Sequence, residues 1–275
     1  MTTKWVRFVV RGGFCVAAAS ALVACGNYDN GYVCGYDAFG DPLFCSMPTT
    51  SSPPTQPAPV ASAGTFNTAA AMGNVAKQAF SYTVSGYDSS GNTYTVVFTS
   101  TPGVGSASFQ TGAGTTVPAV TAAVTETFSE NGSSSSVTTT TNYFDPSTYA
   151  FLGSSSNFAG GYEVVSPTPT VSPVPATATE GQSTSLFSAN LFRDSTMAVN
   201  DGTLTETFAL DADTATTALM CLNDTTSPDQ SGTTDGLVSG QTSVCYQISP
   251  AGTIQGIELT QPVAGVGMVT FWQTS

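Results

Sequence analysis

The chain has 275 residues, only 8% of them are charged, and the formal net charge is −13. It contains no His, which excludes an imidazole from any catalytic triad or metal site. Five Lys and Arg residues against eighteen Asp and Glu leave little to neutralise phosphates, so nucleic acid is not an expected partner.

The first 24 residues are predicted to be an export signal. Lys4, Arg7 and Arg11 form a basic start, and residues 12–24 follow as an uncharged run rich in Ala and Val. This run is well short of the roughly 20 apolar residues that a membrane-spanning helix needs. A basic start followed by a short apolar run is typical of a signal peptide.

The end of this run, Leu22-Val23-Ala24-Cys25, resembles the lipobox of bacterial lipoproteins. The resemblance implies cleavage before Cys25, a thioether-linked diacylglycerol on Cys25, and an acyl group such as palmitate on the new amino terminus. Acyl chains of this kind anchor a protein to a lipid bilayer. By the same analogy, Gly26 in place of Asp after the Cys favours the outer membrane. The alternative is an ordinary secretory peptide that is cut elsewhere.

Removal of the signal would change the charge of the chain. It would leave Lys77 and Arg193 as the basic residues against eighteen acids, a net charge of −16. Such a surface repels anionic lipid and nucleic acid. The mature part is similar in composition to Ser/Thr/Gly-rich envelope lipoproteins, a likeness that assigns no functional residue.

Four cysteines remain after the acylated one: Cys34, Cys45, Cys221 and Cys245. In an oxidising compartment an even number of cysteines indicates disulfides. Of the three possible connectivities, the sequential one is the simplest, with each bridge contributing about 3 kcal/mol. Zinc is the competing interpretation, but the chain has no C-x₂-C spacing and no His. We therefore expect no metal and no other cofactor.

The first part of the mature chain is predicted to have three pieces. Residues 25–45 carry the acylated Cys and a small disulfide loop, and residues 46–63, rich in Pro, Ser and Thr, form an extended tether. A short helix follows, beginning at Asn67 or Thr68, with apolar residues at helical spacing on one face.

From residue 81 onward, apolar residues alternate with Ser and Thr, and the turns contain Gly, Asn and Asp. Strands are predicted around residues 82–98 and at 119–128, 137–144, 148–153, 184–192, 203–210, 216–222, 243–248, 253–260 and 266–273. The fold class is therefore mainly β, an antiparallel sheet, open barrel or sandwich with one short N-terminal helix.

A Pro-rich crossover at residues 166–176 divides this region into two β-rich halves, 64–165 and 177–275. The sequence VTETF at 124–128 matches LTETF at 204–208, and each match is followed by a Tyr-containing motif. The second half has additional residues, mostly between its two cysteines, which we interpret as a disulfide-closed insertion. Short matches also arise by chance in a Thr-rich chain, so duplication and coincidence both stay open.

Glu126 and Glu206 lie at equivalent positions of the two matching motifs. Each has apolar residues two positions away on both sides, so both are expected to point to the apolar face of their strands. An inward carboxylate needs a partner or becomes neutral. One hypothesis is a cavity lined by both carboxylates that binds a cationic or hydroxyl-rich ligand. The alternative is a half-buried face on which each Glu reaches solvent or accepts a hydrogen bond.

Other acids are less informative in the sequence. Residues 211–235 carry several scattered Asp residues, which lack the close alternation of a calcium loop and are interpreted as solvated. Asp213-Thr214-Ala215-Thr216 lacks the Gly of the aspartic-protease motif, and the chain has no second copy of it.

No nucleophile or nucleotide motif occurs, such as G-x-S-x-G, S-x-x-K or a Walker A loop. We therefore expect an envelope protein without enzymatic activity that binds a protein, glycan or apolar ligand, or that has a structural or adhesive role. The alternative is a hydrolase of envelope glycans, because such an enzyme needs only two carboxyl groups.

Overall fold

A computed structural model of the chain describes residues 32–36, 42–45, 56, 58–62, 64–112, 114–156, 160–166, 173–263 and 265–273, with the first two ranges described by their backbone. The predicted signal and Cys25 lie outside these residues, so lipid attachment stays a prediction. Neither helix in the described part is long and apolar enough to cross a membrane.

The described residues form fifteen strands and two helices. In chain order they are β1 (Tyr32–Tyr36), β2 (Pro42–Cys45), α1 (Thr68–Lys77), β3 (Phe80–Tyr87), β4 (Thr93–Pro102), β5 (Ala107–Gln110), β6 (Thr116–Glu130), β7 (Ser133–Phe144), β8 (Phe151–Ser156), β9 (Tyr162–Val165), β10 (Ser183–Phe192), β11 (Asn200–Thr214), β12 (Thr217–Pro228), α2 (Gln230–Asp235), β13 (Gly240–Ile248), β14 (Ile254–Val263) and β15 (Gly267–Phe271). The expected mainly-β class is confirmed.

Thirteen of the strands, β3 to β15, form one long antiparallel sheet that is nearly closed into a barrel. Its order is β15-β14-β13-β12-β11-β10-β9-β8-β7-β6-β4-β3, while β5 pairs with the first part of β6 and β1 pairs with β2 separately. The two edge strands meet where Ser85 and Trp272 exchange backbone hydrogen bonds, with N–H···O distances of 2.9 and 3.0 Å. Closure removes much of the exposed edge that an open sheet would present.

The alternation that predicts the strands also determines what fills the barrel. On β11, Leu204, Phe208 and Leu210 point inward and are at most 1% exposed. The Thr residues between them point outward and are exposed. β-Branched Thr suits such a pleated, half-buried surface, because its stiff side chain packs well against its neighbours across the strands.

Helix α1 lies across one end of the barrel and packs against β4, β6 and β14. Its N-cap is Asn67, whose Oδ1 accepts a hydrogen bond from the backbone N–H of Ala70 at 2.9 Å. The turn between β13 and β14 contacts the helix start closely. A Cβ added to Gly252, which has a φ of +84°, would lie 2.4 Å from the carbonyl oxygen of Asn67.

The two predicted halves are parts of the same sheet. The crossover at 166–176 connects β9 to β10, which are antiparallel neighbours. The first matching motif lies on β6, and its Tyr motif lies on the adjacent antiparallel β7. The second pair lies on β11 and β13, which are separated by β12 and run in the same direction. The two pairs of motifs therefore do not correspond strand for strand.

Candidate functional site

The outer face of β12 and β13 is bridged by a disulfide. Cys221 and Cys245 are register partners on these strands, and their Sγ atoms are bonded, as the sequential pairing predicts for this pair. Beside them, the hydroxyl of Ser243 donates a 2.7 Å hydrogen bond to Oδ1 of Asn223. The bridge limits relative movement of the two strands. Cys34 and Cys45 lie on β1 and β2, whose side chains are outside the described part, so their pairing stays a prediction.

A segment before α1, which we call the strap (Gln56 and residues 58–62), lies against this outer face. The backbone N–H of Val60 donates to the carbonyl of Asp213 at 2.8 Å. The N–H of Ser62 reaches both carboxylate oxygens of Glu180, at 3.0 and 2.9 Å. These residues belong to the 46–63 segment expected to be a tether, and their contacts place this end of it on the barrel.

Between the strap and strands β11 to β14 lies a groove of about 780 Å³. Its surface includes the disulfide together with the hydroxyl and amide groups of Thr207, Asn223, Ser243 and Thr260. A second lobe of about 320 Å³ adjoins it, shares Asp213 and Glu258 with it, and adds Gln247, Trp272 and Gln273. Sites of this size, with a few convergent polar groups, are typical of small-molecule binding.

The carboxyl group of Asp213 is held in a fixed position between the two lobes. Its Oδ2 accepts a 2.6 Å hydrogen bond from the hydroxyl of Thr217 and a 2.7 Å bond from Nε2 of Gln247. Thr217 begins β12 and Gln247 lies on β13. Two donors, one from β12 and one from β13, thus orient one carboxyl group, as a binding site requires.

Glu258 on β14 is the second carboxyl group in the groove. Burial raises the pKa of Glu258, and a hydrogen bond donated by the side-chain amide of Gln56 partly lowers it again. Repulsion from Asp213 and Asp211 raises the pKa of Glu258 further. Partial burial raises the pKa of Asp211 as well. Among the described residues that line the two lobes, none is Lys or Arg.

An aromatic side chain lines the second lobe. Trp272 lies at the seam of the barrel, and its ring centroid is 6.0 Å from that of Tyr87. An indole presents an apolar face that can pack against the face of a sugar ring, and it attracts a cation through its π-system. The groove therefore combines carboxyl, amide and hydroxyl groups with one aromatic surface.

Glu126 and Glu206, the two acids that the sequence indicates, do not line this groove. Glu126 is 4% exposed on β6 between Phe98 and Thr138, its register partners on β4 and β7. Glu206 is 1% exposed on β11 and is the register partner of Asp224. Both side chains point into the barrel. The alternative interpretation placed both side chains on a half-buried face. The structure buries them more deeply than that.

The interior around Glu126 is polar and lacks a basic partner among the described residues. Burial raises the pKa of Glu126 well above its ordinary value. Neither basic residue of the described part is available to it, because Nζ of Lys77 donates to the hydroxyl of Tyr149 and Nε of Arg193 to Asp235, both at exposed positions. Burial without a basic partner therefore favours the neutral, protonated form of this carboxyl group over the charged form.

The sequence interpretation missed the acids that line the groove. It assigned Asp211 and Asp213 to a solvated loop, whereas both lie on β11, which continues to Thr214. Asp211 and Asp213 lie four and six positions after the outward-pointing Thr207, and in a strand such even separations place side chains on the same face. This even spacing was the signal in the sequence that indicated their outward position. Glu258 lies between the buried Ile257 and Leu259, which indicates an outward position, but its place beside the disulfide depends on the pairing with Cys245. No group of three or more His, Cys, Asp or Glu in the described part is arranged to hold a metal ion.

Comparisons with known proteins give no relative for this chain: no protein-family model, no curated protein and no solved structure matches it.

Proposed function

We propose that the protein is an exported, lipid-anchored envelope protein that binds a small polar ligand in the outer groove without transforming it. The observation that carries this proposal is the groove of about 780 Å³ beside the disulfide-bridged strands, joined to a lobe that contains Trp272. Its hydroxyl, amide and carboxyl groups suit a hydroxyl-rich ligand such as a glycan. Such a ligand offers both hydrogen-bond donors and an apolar ring face.

Export is supported by two independent features. The lipobox-like Leu22-Val23-Ala24-Cys25 follows a basic start, and the Cys221–Cys245 disulfide is typical of an oxidising compartment. Acylation of Cys25 would anchor the chain to the bilayer, and the high net negative charge would keep the folded part off an anionic membrane surface.

The anchor is tested by metabolic labelling with palmitate in a bacterial host. We expect the wild-type chain to be labelled and recovered with membranes, and Cys25→Ser to lose both properties. Cys15→Ser is the matched control, because Cys15 lies within the same predicted signal and should not affect labelling. Labelling that persists in the Cys25 variant would contradict the anchor.

Binding is tested by titrating the full chain, purified in detergent, with soluble oligosaccharides in a calorimeter. Thr207→Trp places a large side chain in the groove and should abolish binding. Thr203→Trp, an outward position on the same strand beyond the groove, is the control and should leave affinity unchanged. Equal affinities in the two variants would show that ligand does not occupy the groove.

A second candidate function is hydrolysis of a glycan in the same groove. Glu258, whose pKa is raised, has the character of a general acid, and Asp213 is an oriented carboxyl group that shares both lobes with it. A glycosidase needs such a pair. Release of new reducing ends by the wild type, lost in Glu258→Gln, would favour this function over simple binding.

A further inference from the structure

We propose that the groove selects ligands that carry an ammonium group, and that this group binds beside Glu258 by displacing the side-chain amide of Gln56. The inference rests on the proposed binding function and specifies the chemistry of the ligand.

Four acidic residues, Asp211, Asp213, Asp224 and Glu258, line the main lobe, and no Lys or Arg from the described residues lines either lobe. The two basic side chains of the described part are occupied elsewhere: Lys77 contacts Tyr149 and Arg193 pairs with Asp235. Within the described residues no basic side chain balances the groove, and a bound cation would supply the missing positive charge.

The contact between Gln56 and Glu258 indicates where this charge would bind. Nε2 of Gln56 donates a hydrogen bond to Oε2 of Glu258, so the strap places a neutral N–H donor against this carboxyl group. An ammonium group presents the same N–H donor with a full positive charge, and charge-assisted hydrogen bonds are roughly twice as strong as neutral ones. Gln56 is exposed and lies at one end of the strap, so a ligand can displace its side chain without disturbing the pairing of Val60 with Asp213.

The neighbours of Glu258 add to the preference for a cation. Asp213 is fixed by its bonds to Thr217 and Gln247 and cannot turn away from Glu258. One positive charge beside Glu258 relieves its repulsion with Asp213 and Asp211.

Trp272 lines the lobe that contains both Asp213 and Glu258. An indole within about 6 Å of an ammonium group contributes a further cation–π attraction. A bare metal ion is the poorer fit, because calcium requires six to eight oxygens and does not use an indole face.

The test compares two probes with the same sugar rings and linkage: a disaccharide of glucosamine, which carries ammonium groups at pH 6, and its N-acetylated form, which is neutral. The full chain in detergent is titrated with each at low and high salt. We expect the amine form to bind roughly tenfold more tightly, which is the usual gain from a hydrogen bond between charged groups. The preference should shrink at high salt.

Variants locate the ammonium group. Glu258→Gln should remove the preference for the amine form. Asp211→Asn, at a more exposed position, should reduce this preference and provides a second test in case Glu258→Gln folds poorly. Gln56→Ala should increase affinity for the amine a few-fold, because it removes the competing donor. Glu130→Gln removes the same charge from β6, away from the groove, and should change nothing.

The outcomes separate the two proposals. Equal or tighter binding of the N-acetylated form overturns the ammonium inference and leaves the binding function standing. If neither probe nor any other glycan binds, both the binding function and the ammonium inference are contradicted. Amine binding that survives Thr207→Trp, or that falls equally in Glu130→Gln, would be general attraction to an acidic protein and would also overturn the inference.

Discussion

Glu126 on β6 faces Thr138 on β7 inside the barrel, and the two residues are 4% and 2% exposed. One oxygen of this carboxyl group, Oε1, has no hydrogen-bond partner among the described atoms. The same holds for Oγ1 of Thr140 and Oδ1 of Asn142, which follow Thr138 along the inner face of β7. This part of the wall is polar without being fully hydrogen-bonded, which lowers the stability of the fold.

The stability of the barrel should fall as pH rises. The pKa of Glu126 is raised by burial, so above the ordinary value of 4.5 the unfolded chain loses a proton that the folded chain keeps. The contribution is complete below this value and is lost as pH rises toward the folded pKa. The slope is at most about 1.4 kcal/mol per pH unit for one group. Glu126→Gln should flatten this dependence in urea unfolding measured at pH 5, 6.5 and 8.

Glu130→Gln is the control for this experiment. Glu130 ends the same strand and is only half-buried, so its replacement should leave the pH dependence nearly unchanged. If the wild type and Glu126→Gln lose stability in parallel between pH 5 and 8, another group controls the dependence.

Removal of the disulfide should destabilise the barrel. The bond closes a segment with a sequence separation of 24 and joins two register partners. The double variant Cys221→Ser/Cys245→Ser should lose about 2–4 kcal/mol of unfolding free energy. The measurement is urea unfolding, with the wild type under reducing conditions as a second comparison. A variant as stable as the oxidised wild type would show that the β12–β13 hydrogen bonds suffice.

The strap should detach when its backbone contact is removed. Val60→Pro deletes the N–H that donates to Asp213, at a cost of about 1 kcal/mol. Limited proteolysis should then cut the strap faster while the barrel stays intact. Val60→Ala keeps the N–H and serves as the control. Equal cleavage rates in the two variants would mean that other contacts, such as that of Ser62 with Glu180, hold the strap.

A methyl group at Gly252 should disturb the helix that covers the barrel end. Gly252→Ala combines a positive φ with a Cβ only 2.4 Å from the carbonyl oxygen of Asn67. Gly91→Ala has nearly the same φ, +83°, but its Cβ would meet nothing within 4 Å. We expect the control to lose about 1 kcal/mol and Gly252→Ala clearly more, measured by thermal unfolding. Equal losses would mean that the helix shifts without cost.

The sequence predicts the fold class well because alternation is strong on the long strands. It places strands over most of β6, β7, β10 and β11, and it identifies Asn67 as one of two candidate starts for α1. Short elements were missed. Strands β5 and β9 have four residues each, at the lower limit of the length over which a period of two identifies a strand.

Their pairing depends on contacts between distant parts of the chain. Phe109 on β5 packs against Tyr162 on β9, with ring centroids 5.4 Å apart, and no local pattern indicates this contact. The same limit applies to the groove. The inward positions of Glu126 and Glu206 follow from their own neighbours, but the meeting of Gln56, Asp213 and Glu258 depends on how the sheet closes.

The seam of the barrel has a consequence for the order of folding. Ser85 on β3 and its partner Trp272, directly after β15, are far apart in sequence, so β3 cannot pair with β15 until all the intervening strands have been made. Contacts so far apart in sequence slow folding, and until they form both sheet edges can pair with other chains. A chain that has not yet paired β3 with β15 therefore exposes both edges of the sheet at once, and in this state association with other chains competes with closure.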